Sequence, residues 1–167
     1  KVIIITGGDS GLGKAAAVAY AKEGANLVIP YYNEHEDAME TKRVVENYGA
    51  RCLLLSGDLS KRKFCEEVVS RTISEYGKID VLVNNAGGGV TIKEVSEFTT
   101  EEIDKTIKLN LNSVIYGCKA FANMMKDQKE GTMINISSVC ARQCWPTWSV
   151  YAAAKAGISN FTAFLAT

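Results

Sequence analysis

Tyr151 and Lys155 stand four residues apart in the alanine-rich run VYAAAKAGIS (150–159). Alanine is the best helix former, and on a helix positions i and i+4 share a face about 5–6 Å apart. The run therefore predicts a phenol beside an ammonium. A free phenol titrates near pH 10, which makes it a poor proton donor at neutrality. A close ammonium favours the phenolate and strengthens the acid. Proton transfer to or from an oxygen is the chemistry this pair suits. A tyrosine over a lysine stem also occurs on ordinary solvated helices, so the rest of the chain has to decide.

Near the amino terminus KVIII (1–5) runs into TGGDSGLGKAAAVAYA, with Thr6, Gly7, Gly11 and Gly13 at the turn. A strand, a glycine-rich turn and a helix start let backbone approach a pyrophosphate, and the helix supplies free N–H groups and a positive dipole end. The spacing TGxxxGxG is slightly longer than GxGxxG. Farther on come Asp58 in GDLS, Asn84-Asn85-Ala86-Gly87, Asn110 in LNLNS, and Ser138 in NISSV, thirteen residues before Tyr151. Each alone has a plain structural role: Ser138 as a strand-end cap, Asn110 as a buried polar group of a helix, Asp58 as a helix-start residue. Gly87-Gly88-Gly89 reads equally as a close backbone approach to a ligand or as a flexible loop.

The elements that must position these residues alternate. KVIII (1–5), NLVIPYY (26–32), RCLLLS (51–56), IDVLVNN (79–85) and GTMINIS (131–137) are apolar runs of strand length, as expected for strands covered on both faces. Helical patterns occupy 12–23, 36–48, 61–76, 100–127 and 151–166, with Gly49 and Gly77 as stops. The alternation predicts an α/β fold, a parallel sheet with helices on both faces. No internal repeat or linker interrupts it, so residues 1–167 are expected to form a single domain.

Taken in this order, the motifs resemble the short-chain dehydrogenase/reductase family along nearly the whole chain. The resemblance implies a doubly wound Rossmann domain with strand order 3-2-1-4-5, an oxidoreductase activity on a secondary alcohol or ketone, and a nicotinamide cofactor. Tyr151 would be the acid/base. Lys155 would tune it and hold the nicotinamide ribose. Ser138 would orient the substrate oxygen, and Asn110 would hold a water linking Lys155 to solvent. Cofactor contact is implied for Gly7, Asp9, Ser10, Gly11, Leu12 and Gly13 in the turn. It is implied as well for Tyr31, Asp58, Leu59, Asn85, Ala86, Gly87, Tyr151 and Lys155. YYNEHEDAMETK (31–42) is similar to a bacterial subgroup of glucose/ribitol dehydrogenase-like and general-stress oxidoreductases. After residue 87 the chain is more like 3-oxoacyl-carrier-protein reductases.

NAD-preferring members usually carry an acid at the end of the second strand, where it meets the ribose 2′-OH. Here that position is Tyr31, which points to NADP(H) over NAD(H) by a modest margin. In the family, the helices corresponding to 100–127 and 151–166 pair across a twofold axis, so a dimer or tetramer is expected. Trp145 and Trp148 fall in a segment that borders the family's substrate pocket; an apolar wall, a sugar platform and ordinary packing are all open for them.

Composition narrows the classes. Of 167 residues 47 % are hydrophobic and 23 % charged, with a formal net charge of zero. That balance suggests neither a nucleic-acid nor a membrane-surface partner. Five cysteines without a CxxC pair read as reduced thiols of a cytoplasmic protein. The lone histidine, His35, gives no metal pattern and argues against a Ser-His-Asp hydrolase. No run of about 18 apolar residues suggests a membrane span. A chain that opens on a strand without Met and stops within a helical pattern is expected to be part of a longer protein, with later strands and a substrate lid after the Tyr helix. Two other functions compete. A non-catalytic dinucleotide sensor has no need of Ser138, Tyr151 and Lys155 together. An extended-type epimerase usually carries TGxxGxxG.

Overall fold

Alternation of side chains sorts the first strand between two layers. In β1 (Val2–Ile5), Ile3 and Ile5 face one way, with Ala17, Ala21 and Val45. Ile4 faces the other, with Val68 and Phe121. All four β1 residues are buried, as a strand covered on both sides requires. The computed structural model describes residues 1–88 and 91–166.

Five strands make one parallel sheet in the order β3-β2-β1-β4-β5: β2 (Asn26–Tyr31), β3 (Cys52–Ser56), β4 (Val81–Asn84) and β5 (Thr132–Asn135) join β1. Helices α1 (Gly11–Lys22) and α2 (His35–Glu46) cover one face. The other face carries α3 (Arg62–Tyr76), α5 (Ser113–Gln128) and α6 (Ser149–Leu165). Pro30 is tolerated in β2 because its pairing with β1 ends at Ile4↔Val28, and Pro30 pairs only with Leu55 of β3. Among the described residues no helix is long and apolar enough to cross a membrane.

The expected helix over 100–127 is two helices with a π turn between them. Helix α4 (Thr100–Ile107) starts on a capping box in which Thr99 and Glu102 satisfy each other's backbone N–H. The π turn spans Lys108–Asn112. There two carbonyls of the helical ladder are taken by side chains: Asn110 Nδ2 donates to Thr106 O at 3.1 Å, and the Ser113 hydroxyl donates to Leu109 O. The Ser113 N–H therefore reaches one residue farther back, to Lys108 O. Hydrophobic periodicity carries straight through such a turn, which hides it in the sequence.

Candidate active site

Parallel strands end together, and their carboxyl ends open on one cleft of about 1130 Å³. Gly7, Asp9, Ser10, Gly11 and Leu12 line it from the turn after β1. Tyr31, Asp58 and Leu59 line it from β2 and β3, and Asn85, Ala86 and Gly87 from β4. Ser138, Tyr151 and Lys155 complete it. Of the residues for which the resemblance implies a catalytic or cofactor contact, all line it except Gly13 and Asn110; Thr6 and Asn84 of the motifs also lie off this surface. Gly89 lies outside the described residues.

The turn after β1 is backbone laid on backbone. A Cβ at Gly13 would sit 2.1 Å from Gly7 O and 2.6 Å from Asn85 Nδ2, so only glycine fits. Thr6 ties the turn to the end of β4: its hydroxyl oxygen accepts from the N–H groups of Asn85 and Ala86, both at 2.9 Å. Asn85 Nδ2 donates to the carbonyls of Thr6 and Gly7 at 3.0 and 3.1 Å. Helix α1 begins with no side-chain cap bond and no acid in its first turn. That leaves N–H groups and a positive dipole end toward the cleft, a fit for the phosphates of a dinucleotide. Asp9 is buried; its carboxylate accepts from the Ser10 hydroxyl at 3.0 Å, and its carbonyl from the Thr41 hydroxyl at 2.7 Å.

Farther along this side of the cleft, the Tyr31 hydroxyl shares a hydrogen bond of 2.9 Å with His35 Nδ1. Asp58 Oδ1 accepts from Ser60 N–H at 2.8 Å, so the carboxylate shapes its own turn as well as lining the cleft. Glu34, which the sequence did not single out, also lines this end, with its carboxylate folded onto Asn33 N–H at 3.1 Å.

The opposite wall is built from side chains. Lys155 is only 3 % exposed, and its Nζ donates to Ile136 O at 2.9 Å just past β5. Burial holds its pKa below the ordinary 10.5. The ammonium lies 5.7 Å from the centroid of the Tyr151 ring. Ser137, absent from the sequence expectations, donates to Lys155 O at 2.9 Å and shares a 2.7 Å bond with the Ser159 hydroxyl. Two bonds running in opposite directions thus lock α6 to the chain after β5. Ser138 Oγ accepts from Cys140 N–H at 3.2 Å, capping a short 3-10 turn while facing the cleft.

Asn110 is fully buried in the π turn. Its Oδ1 accepts from Gly88 N–H at 2.8 Å, and its Nδ2 donates to Gly88 O at 3.0 Å. A Cβ on Gly87 would lie 2.9 Å from Asn110 Oδ1 and 3.3 Å from Lys155 Nζ, so three separate segments converge there without room for a methyl group. Ser137 escaped the sequence reading because a serine next to a motif serine carries no local signal of its own; Gly88 was read there as part of Gly87-Gly88-Gly89, but not as the partner of Asn110.

The model of the short chain dehydrogenase family matches residues 1–167. General stress protein 39 of Bacillus subtilis (strain 168) is 43 % identical over 166 residues, covering 99 % of this chain and 57 % of that protein. The solved structure of levodione reductase superposes with a TM-score of 0.92 at 35 % identity, over 97 % of this chain and 63 % of that one. Carveol dehydrogenase from Mycobacterium avium in complex with NAD gives 0.90 at 26 %, over 96 % and 62 %. The chain belongs to the short-chain dehydrogenase family. It spans little more than half the length of the curated relatives it matches.

Proposed function

We propose that the protein is an oxidoreductase that moves a hydride between a nicotinamide dinucleotide and a secondary alcohol or ketone. The observation that carries this is the pairing of walls: a buried ammonium beside Tyr151 and Ser138 faces a nucleotide turn made of backbone. When bound, the dinucleotide supplies or accepts the hydride. Tyr151 holds the proton that the substrate oxygen gains or loses. Lys155 stabilises the negative charge left on the phenol oxygen. Ser138 donates a hydrogen bond that fixes the substrate oxygen within reach of Tyr151. Asn110 holds Gly88, next to the Gly87 that packs close to Lys155 Nζ. Tyr151→Phe in the full-length protein tests the assignment: turnover should vanish while the cofactor still binds, and retention of more than a few per cent of kcat would sink it.

Three finer readings accompany it. NADP(H) is favoured modestly over NAD(H), because no carboxylate stands at Tyr31 and the Glu34 carboxylate is engaged by the Asn33 N–H. A tenfold bias of kcat/KM toward NAD would reject this. The domain is a single Rossmann unit over 1–167 that works as a dimer or tetramer, and a monomer in sedimentation of the full-length protein at micromolar concentration would reject the assembly. Five free thiols, four of them buried, support a cytoplasmic site of action, with burial pushing Cys52 up to about 12 and Cys65 up to about 11.

A further inference from the structure

The chain has one histidine, His35, and the hydride chemistry above does not use it. It opens α2, four residues after Tyr31, and its Nδ1 is the partner of the Tyr31 hydroxyl at 2.9 Å. The two rings meet edge to face with centroids 5.5 Å apart. Tyr31 is buried and lines the cleft, whereas His35 is exposed. Solvent protons therefore reach the imidazole, and the phenol carries the consequence inward. The frame around the pair is held by backbone and a buried hydroxyl. Gly7 N–H donates to Pro30 O at 2.8 Å, which sets the end of β2 against the glycine turn, and the Thr41 hydroxyl of α2 donates to Asp9 O.

A neutral imidazole can take the phenol proton on Nδ1, but an imidazolium has no acceptor nitrogen and only donates. Protonation of His35 thus fixes the bond in one direction, from Nδ1–H to the Tyr31 oxygen. The phenol O–H is then left for an acceptor in the cleft, with a positive charge behind it. Fixed charge does not do this work. From the ends of β1, β2 and β3 the acids Asp9, Glu34 and Asp58 line the cleft, and among the described residues Lys61 is the one base that joins them. Across the cleft Glu101 and Asp104 of α4 are matched by Lys105 and Lys108. Lys14 of α1, which packs on α2, is held by Glu40 at 3.0 Å. On α2 itself the positive dipole end opposes an imidazolium, and Glu36 and Asp37 in the first turn offset it.

We propose that the Tyr31–His35 pair makes the choice between the two nicotinamide dinucleotides depend on pH, the imidazolium form favouring the one with a 2′-phosphate. The proposal rests on the reading of the cleft as a dinucleotide site and deepens the modest preference for NADP(H). A 2′-phosphate offers oxygens that accept from the freed phenol and a charge that the imidazolium attracts. A ribose 2′-OH gains no such charge interaction. His35 is a positioning residue that acts through Tyr31, and an imidazole ordinarily changes charge between about pH 5 and 8.

Calorimetric titration of the full-length protein with oxidised NADP and oxidised NAD, at about pH 5.5 and about pH 8.5, reads both dissociation constants without turnover. A phosphate monoester itself titrates near pH 6, so the comparison is between the parent and His35→Gln, whose amide keeps a hydrogen-bonding group and cannot be charged. At the lower pH the parent should favour NADP over NAD by at least about fivefold more than His35→Gln does. At the higher pH the two proteins should agree within about twofold. Tyr31→Phe, which removes the donor and leaves the imidazolium, should lose part of the low-pH advantage and keep the rest. Equal selectivity of parent and His35→Gln at the lower pH overturns the proposal. An advantage of the parent that is undiminished at the higher pH also overturns it, since a packing role alone would produce that. Should His35→Gln not fold, a Tyr31→Phe variant with the selectivity of the parent at both pH values overturns it as well. If neither dinucleotide binds, the dinucleotide reading itself fails; if both bind and selectivity does not respond to His35, this inference alone fails.

Discussion

The two walls of the cleft are made of different material. The wall after β1 is backbone: Gly13 sits against Gly7 O, and Thr6 and Asn85 staple one turn to another. The wall after β4 and β5 is side chain: Asn110, Lys155 and Ser137 are each bonded to a backbone carbonyl of the segment they hold. The first wall has no space, so it should fail when atoms are added. The second is a set of filled hydrogen bonds, so it should fail when atoms are removed.

The largest effect belongs to the first wall. Gly13→Val places a branched side chain where even a Cβ would lie 2.1 Å from a carbonyl oxygen. Overpacking against backbone of this kind should cost more than about 3 kcal/mol. Denaturant unfolding should show that loss, and nucleotide affinity should fall with it; a stable variant that binds normally would remove the contrast between the walls.

In the second wall, Asn110→Leu keeps the volume and deletes the polar groups. Gly88 N–H, Gly88 O and Thr106 O lose their partner, and a buried polar group left unpaired costs about 1–3 kcal/mol. A total destabilisation of roughly 2–4 kcal/mol is expected, because the half-buried Gly88 can recover some bonds from water. Near-neutral unfolding free energy would show that the π turn does not depend on this side chain.

Ser137→Ala sharpens the comparison at lower cost. It removes the bond to Lys155 O and the bond shared with Ser159, whose single proton can then turn to Lys155 O at 3.2 Å, so about 1 kcal/mol is expected. As a positioning residue, Ser137 should affect kcat more than cofactor KM, and Ser137→Thr should restore much of the loss. An equal fall in stability without a change in kcat would reduce it to a packing residue.

The smallest effect is a slope. Burial lowers the pKa of Lys155, so above that pKa and below the ordinary 10.5 the unfolded chain binds more protons than the folded one. Unfolding free energy then rises with pH through that window, and the burial penalty is fully present below the lowered pKa. Lys155→Met abolishes this contribution. The stability of the variant relative to the parent should therefore be greatest below the lowered pKa and decline as the pH rises toward 10, as followed by urea titrations at several pH values. A difference independent of pH would contradict the burial of the charge.

Much of this was legible in the sequence where the signal is local. The strand and helix alternation, the glycine turn and the Tyr151–Lys155 pair follow from periodicity and from residues within a few positions of one another. The resemblance gave the strand order, which the sheet has, and the carboxyl-end location of the motif residues. The single helix over 100–127 was the clear failure. Its periodicity is helical throughout, and nothing local announces that Asn110 and Ser113 side chains take two ladder carbonyls.

Tertiary structure decided how the side-chain wall is held. Lys155 becomes a buried cation only because Ile136 offers its carbonyl 19 residues earlier in the chain, and Asn110 finds Gly88 at a separation of 22. Ser138 and Asp58 serve as turn-forming groups and cleft-lining groups at once, although the sequence presented those roles as alternatives. Composition and spacing specify which elements form, because short-range sterics and burial periodicity act within a segment. Which polar group meets which carbonyl depends on how separate segments dock, and that is settled only when the whole sheet and its helices have packed.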